Sequence, residues 1–178
     1  GFFRYTLKAT LPTSAFNGQQ FPIYRYSNRS YIGKITVKGN QYEYHGTADS
    51  AMFCRIDIGQ HFGNFIVEEG TINVDMQTWM YPTGTPLNEA LGEFYQKRNM
   101  VYNILDSIRQ SVIQGKMDRE TRIKRLEELE YNFDIRRKYE KEIIKPFILK
   151  HANDELGAVA VQSYLANATP EMLDDIYP

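Results

Sequence analysis

"FIVEEGTINVDMQTWMYPTGTPLNEALGEF", residues 65–94, changes its hydrophobic period part-way along. Thr71, Ile72, Asn73 and Val74 alternate polar with apolar, the period-2 signature of a strand with one wet face. From Thr85 onward the apolar residues fall at Leu87, Leu91 and Phe94 instead, the spacing of a helix. Gly84 stands at the switch. The stretch divides the chain into residues 1–84, read as an antiparallel β-sandwich-like half, and residues 85–178, read as a helical half. The class is therefore α+β, and the two halves are expected to form one structural unit.

The upstream half extends the strand reading. In "FFRYTLKATL", Phe3, Tyr5, Leu7, Ala9 and Leu11 alternate with Arg4, Thr6, Lys8 and Thr10. Ile35 and Val37 lead into Gly39-Asn40, a pair suited to a tight turn, and Tyr42 and Tyr44 lead out, so a hairpin is expected there. Met52, Cys54, Ile56 and Ile58 mark one face of another strand. A second hairpin is expected with Phe65–Val67 pairing to Thr71–Val74 across Glu68-Glu69-Gly70.

The downstream half reads as helices. Thr85 suits an N-cap, Pro86 the first helical position, and Asn88 follows three after the cap. Leu87, Leu91, Phe94, Val101, Leu105, Ile108 and Val112 form a narrow apolar stripe broken only at Arg98. Gly115 ends this helix, and Asp118 caps a second one carrying Ile123, Leu126, Leu129, Phe133, Ile143 and Phe147. The two are expected to fold back as a long antiparallel helical hairpin. Pro146 either kinks the second helix or starts a new one. Short C-terminal helices should follow after Asn153-Asp154-Glu155 and after Thr169-Pro170-Glu171. The stripes are narrow and interrupted at Arg98, Arg136 and Glu140, so the arm is expected to offer a contact surface, including one for a homodimer.

Composition excludes several function classes. The chain has 178 residues, 42% hydrophobic and 24% charged, as expected of a folded domain with a core. A net charge of −1 gives no general attraction to nucleic acid. The basic residues of the second helix, Arg122 to Lys141, are interleaved with Glu120, Glu127, Glu128 and Glu130, which reads as a solvated helix. His45, His61 and His151 lack the spacing of metal ligands, and no glycine-rich phosphate loop occurs, so neither a metal nor a cofactor is expected. The single cysteine, Cys54, has no partner for a disulfide or a C-x-x-C motif and lies on an apolar strand face.

Two features remain as site candidates. Glu68, Glu69 and Asp75 are acidic residues close in sequence, and a hydrolase would use Glu68 or Asp75. Glu69-Gly70 is also turn chemistry, and neighbours on a strand point to opposite faces, so both glutamates are expected exposed at a hairpin tip. Thirteen Tyr, ten Phe and one Trp are many for this length. Tyr24, Tyr26, Tyr42, Tyr44, Trp79 and Tyr81 would suit an aromatic sheet face for a glycan or a peptide. The segment "MQTWMYP" would line a groove between sheet and helices.

The order of parts carries a resemblance. A strand-Glu-x-Gly-strand stretch at "FIVEEGTINV" precedes the Gly84-Thr85-x-x-Asn88 step. A charged helical pair and "PFILKHANDELGAVAVQSYL" follow. Over about residues 3 to 177 this resembles the N-terminal domain of unknown function found ahead of the thioredoxin-like domain in bacterial cell-envelope thiol-disulfide oxidoreductases and related lipoproteins. The resemblance implies a non-catalytic accessory domain for substrate docking, dimerisation or spacing. Its partners would be its own C-terminal thioredoxin-like domain, expected beyond residue 178, and a peptide or protein substrate. It also implies a periplasmic location, with membrane association only through an N-terminal lipid anchor that this stretch does not contain. No catalytic residue is carried over.

Overall fold

The computed structural model describes residues 1–77, 81–131 and 138–157. Seven strands come first: β1 (Phe3–Thr10), β2 (Gln20–Arg25), β3 (Tyr31–Thr36), β4 (Gln41–Ala48), β5 (Met52–Ile58), β6 (His61–Val67) and β7 (Gly70–Asp75). Helices α1 (Pro86–Gln114) and α2 (Arg119–Tyr131) follow, then a π-helical turn, Glu140–Ile144, and α3 (Lys145–Lys150). The class is α+β. Pro146 lies in the first turn of α3, which follows directly on the π-helical turn, with Ile144 at the junction keeping helical angles (φ −70°, ψ −54°). Gly115 ends α1 in an extended conformation (φ −68°). Asp118 caps α2, its carboxylate accepting from Thr121 N at 2.7 Å.

The strands form two sheets, ordered β4-β1-β7 and β3-β2-β5-β6. All neighbours are antiparallel except β1 and β7, which run parallel. β1 keeps its alternation: Tyr5, Leu7, Ala9 and Leu11 are buried, facing a cluster that also takes Ile23, Cys54, Ile56 and Phe65 from the second sheet. Pro22 in β2 escapes a purely local strand reading. Val37 N donates to Gln19 O at 2.9 Å, and alternate pairs of the β2–β3 ladder bond likewise, so the Pro22 nitrogen faces away from β3. It points toward β5, and the β2–β5 pairing is confined to Tyr24–Arg55 and Arg25–Cys54.

Neither expected hairpin pairs as a hairpin. At Gly39-Asn40 the tight turn is present, with Gly39 at φ +65° and Lys38 and Gln41 exchanging bonds of 2.8 and 3.1 Å. Beyond that single pair the strands diverge, β3 joining β2 and β4 joining β1. The Glu68–Gly70 turn, with Gly70 at φ +118°, likewise passes the chain from one sheet to the other. A hairpin there would set Phe65 and Val67 opposite Asn73 and Thr71, an apolar face against a wet one. Crossing between sheets instead lets Phe65 and Val67 share the core with Ile72 and Val74.

The second sheet is covered on both sides. Phe65 and Val67 point into the inter-sheet cluster, while Ile66 and Phe53 point the other way, onto Leu91, Phe94 and Tyr95 of α1. This explains the unbroken Phe65-Ile66-Val67 run: a strand buried on both faces has no wet side to alternate toward. Phe94 stacks on Phe147 at 4.4 Å between ring centres, tying the segment around α3 to the same cluster.

Candidate functional site

The acidic pair separates into two roles. Glu69 is exposed. Glu68 is half-buried, and its Oε1 accepts from the backbone N–H groups of Leu87 at 2.8 Å and Asn88 at 3.1 Å. Those are orphan donors of the first turn of α1, where a negative charge is also favoured by the helix dipole. Thr85 occupies the N-cap position but makes no side-chain cap bond. The expectation of two exposed tip glutamates is therefore corrected for Glu68, which caps the helix from another element. Glu68→Ala should cost about 1–2 kcal/mol in urea unfolding. Glu69→Ala should stay within about 0.5 kcal/mol.

Asn88 completes this joint. It is fully buried, its Oδ1 accepting from Ile66 N and its Nδ2 donating to Ile66 O, both at 2.7 Å. Nδ2 also donates to Thr85 Oγ1 at 2.7 Å. β6 is an edge strand, so Ile66 would otherwise keep a backbone donor and acceptor buried and unpaired. The Asn88 amide stands in for the missing neighbouring strand. Gly84, at φ +105°, brings the chain so close to β7 that a Cβ would lie 2.3 Å from Thr71 O. The Gly-Thr-x-x-Asn step and the Glu-x-Gly turn thus meet at one joint between sheet and helix.

The five aromatic candidates among the described residues do not share a face. Tyr42 is buried, with its hydroxyl 3.1 Å from Met76 Sδ, and Tyr44 packs on Tyr5 at 6.1 Å inside the same cluster. Tyr24 and Tyr26 lie at the end of β2, where the Tyr24 hydroxyl donates to the Asp57 carboxylate and Tyr26 packs on Phe53 at 5.2 Å. Tyr81 stacks on Tyr95 at 6.1 Å beside α1. Trp79 lies outside the described residues. Arg98, the break in the α1 stripe, lays its guanidinium over the Tyr95 ring at 4.6 Å, which keeps a cation on an otherwise apolar helix face. Cys54 is fully buried, and that burial pushes its thiol up to about 12.

What the structure does build is a groove. The outer face of β4-β1-β7 floors a concavity of about 1210 Å³, with Lys8, Glu43, His45 and Asn73 on its floor and Asp75 and Tyr81 toward α1. Lys8 Nζ and His45 Nε2 lie 3.7 and 3.8 Å from Glu43 Oε1. Asp75 Oδ1 accepts from Gln77 N at 2.9 Å. Asp75, Tyr81 and Gln96 also belong to a second concavity of about 710 Å³ along α1, where Met100 and Ile104 are exposed. A polar trough thus runs into an apolar one. Sequence reading passed over its floor because alternating polar residues on a strand signal no more than a wet face.

The arrangement offers hydrogen bonds and charge. Glu43 and Asp75 sit on one face but two strands and two residues apart, about 12 Å between Cα atoms by strand geometry. Among the described residues no group of three His, Cys, Asp or Glu is arranged to hold a metal ion. Nor is any described helix long and apolar enough to cross a membrane.

No family model matches the chain, and no curated protein matches it. Among solved structures it is similar to a DUF3823 family protein from Parabacteroides merdae ATCC 43184, at 12% identity and a TM-score of 0.29. The match covers 45% of this chain and spans about half, 47%, of that protein. A likeness at that score carries no argument about fold or function.

Proposed function

We propose that this chain is a non-catalytic accessory domain of a bacterial cell-envelope thiol-disulfide oxidoreductase, serving to dock substrate or space the redox domain. In this reading the two sheets make a β-sandwich and α1 with α2 a helical hairpin arm. The observation that carries it is the joint at Asn88. The motifs behind the resemblance, Glu68-x-Gly70 and Gly84-Thr85-x-x-Asn88, spend their polar atoms on one another and on buried backbone. Asn88 and Glu68 Oε1 thereby hold the fold together. The trough beside Tyr81 is then the docking surface, its polar floor suited to a polypeptide backbone and its α1 end to apolar side chains.

Redox chemistry would belong to another domain, because thiol exchange needs an accessible thiolate and a resolving thiol. Cys54 has neither access nor a partner cysteine. Native protein should react with an aromatic disulfide reagent roughly a thousandfold more slowly than protein unfolded in guanidinium. In an insulin-reduction assay with dithiothreitol, wild type and Cys54→Ser should both match the reductant alone. A rate above that background, lost in the variant, would sink the accessory reading.

A second reading, a glycan-binding module, is favoured by the amide and hydroxyl side chains of the trough, such as Asn73, Gln77 and Gln96, beside Tyr81. Saturable quenching of intrinsic fluorescence by oligosaccharides, lost in Tyr81→Ala, would select it over peptide docking.

A further inference from the structure

Among the described residues, α1 covers the outer face of the second sheet only at one end, over Phe53 and Ile66. Cys54 and Ile56 of β5 point into the inter-sheet cluster, so Arg55 and Asp57 point outward. The register sets Tyr24 opposite Arg55 and Phe62 opposite Asp57, on that same face. There the Arg55 and Asp57 side chains stay 26% and 43% exposed.

The side chains beyond α1 form a row. The Arg29 guanidinium lies over the Tyr24 ring, 5.8 Å from its centre. The Tyr24 hydroxyl donates to Asp57 Oδ2. Asp57 Oδ1 accepts from Arg55 Nε at 2.9 Å, and the Arg55 guanidinium lies over the Phe62 ring at 4.1 Å. Arg55 is thus fixed by a ring and by one bond through Nε, while neither of its Nη groups bonds to a described residue. Arg29 has no acidic partner among the described residues. It stands at φ +57°, the one described residue other than glycine in the left-handed region. Glycine or asparagine suits such a turn position better, so local folding gives no reason for an arginine there. Lys34, exposed opposite Pro22 on β3 and bordering the trough, adds a third cation.

We propose that this face docks an acidic segment of a polypeptide, its carboxylates on Arg55 and Arg29 and its apolar side chains against Pro22 and Tyr31. Arginine and lysine are cationic at neutral pH, and here Arg29, Lys34 and Arg55 outnumber Asp57. Both Asp57 oxygens are already engaged, by Arg55 and Tyr24, which makes Asp57 a positioning residue for Arg55. Guanidinium N–H edges match the paired oxygens of a carboxylate. Tyr24 and Phe62 each bear a guanidinium on a ring face, which favours a ligand that brings carboxylates over one that stacks, such as a sugar ring or a nucleobase. Pro22 and Tyr31 are exposed beside the cations, so a chain mixing acidic and apolar side chains meets both features. The face belongs to the opposite sheet from the trough floor, and the proposal does not depend on what the trough binds.

Fluorescence anisotropy with a labelled peptide alternating glutamate and leucine tests this. Wild type should bind it saturably and lose affinity as salt is raised. The same peptide with glutamine in place of glutamate should bind about tenfold more weakly. Arg29→Gly should weaken binding about fivefold while leaving the unfolding midpoint nearly unchanged, since glycine accepts the left-handed position. Arg55→Lys keeps the charge but loses the fork and the ring contact, and should weaken binding about tenfold. Lys8→Gln, on the trough floor, should change it little. No saturable binding by wild type would overturn the proposal, as would binding indifferent to both arginine variants. A loss as large in Lys8→Gln would place the peptide in the trough and overturn it too. Tighter binding of oligothymidylate or heparin than of the peptide, at the same salt, would mark a nucleic-acid or sulfated-glycan surface in its place.

Discussion

Asn88→Ala is expected to lower unfolding stability by about 3–5 kcal/mol, roughly 10 °C in midpoint for a chain of this size. The side chain is fully buried and is the partner of the Ile66 N–H, the Ile66 C=O and the Thr85 hydroxyl. Alanine removes all three bonds at once. The stranded groups cannot turn to water, because Ile66 is itself fully buried beneath α1. Each buried unpaired group costs on the order of 1–3 kcal/mol, more than the bond itself contributes when made. Asn88→Asp separates the two halves of the effect. It keeps an acceptor for Ile66 N but sets a carboxylate oxygen against Ile66 O and near Glu68, so it should be no better than alanine at neutral pH. Urea unfolding followed by circular dichroism reads both. A loss under about 1 kcal/mol for Asn88→Ala would mean that the edge of β6 is satisfied some other way.

The domain should also unfold cooperatively in alkali, at roughly pH 11. Four protons are held by burial: on Cys54 and Tyr95, each pushed up to about 12, and on Tyr5 and Tyr42, pushed up further. The unfolded chain releases the same protons between about pH 8.5 and 10. Raised native values mean that the native state binds more protons than the unfolded state in this window. Stability is therefore complete below about pH 8.5 and falls as pH rises toward the native values. Each group contributes a slope of about 1.4 kcal/mol per pH unit, so the four together give about 5 at most, enough to exhaust an ordinary domain within one to two units. Tyrosinate absorbance should include a cooperative step that coincides with loss of the far-ultraviolet signal. Tyr42→Phe or Cys54→Ser should each make the fall shallower by about 1.4 kcal/mol per pH unit. Smooth titration of every tyrosine near pH 10, with the fold intact, would contradict this.

Local chemistry in the sequence specified most elements of the described residues. The period switch at Gly84 placed strands before α1 and helices after it. Alternation picked the buried face of β1, the Gly39-Asn40 pair marked a tight turn, and Thr85-Pro86 marked the start of α1. These depend on backbone propensity and on which side of one element is apolar, which are properties of neighbours in the chain. Partner choice between strands was beyond local reading. Val37 opposite Tyr42 looks equally good in a hairpin or at a corner between sheets, and the long pairing of β4 with β1 decides it. The Phe65-Ile66-Val67 run did carry a signal, an apolar triplet where a half-wet strand would alternate, but it becomes meaningful only once α1 covers the second face.

The candidate site divides the same way. The buried state of Cys54 could be read from its apolar face, whereas the scatter of the five described aromatics over three places could not. Glu68 looked like a turn residue because its partners, the Leu87 and Asn88 N–H groups, are some twenty positions away. Asn88 looked like an ordinary helix-start residue because nothing local shows that β6 lacks a neighbour. An unpaired strand edge exists only after the sheets have chosen their order. The sequence alone determined most of the strands and the start of α1, with β2 and the end of α2 excepted, and the buried face of β1. Tertiary structure decided which backbone groups were left without partners, and so gave Glu68 and Asn88 the work of satisfying them, since burial makes an unpaired N–H or C=O too costly to leave.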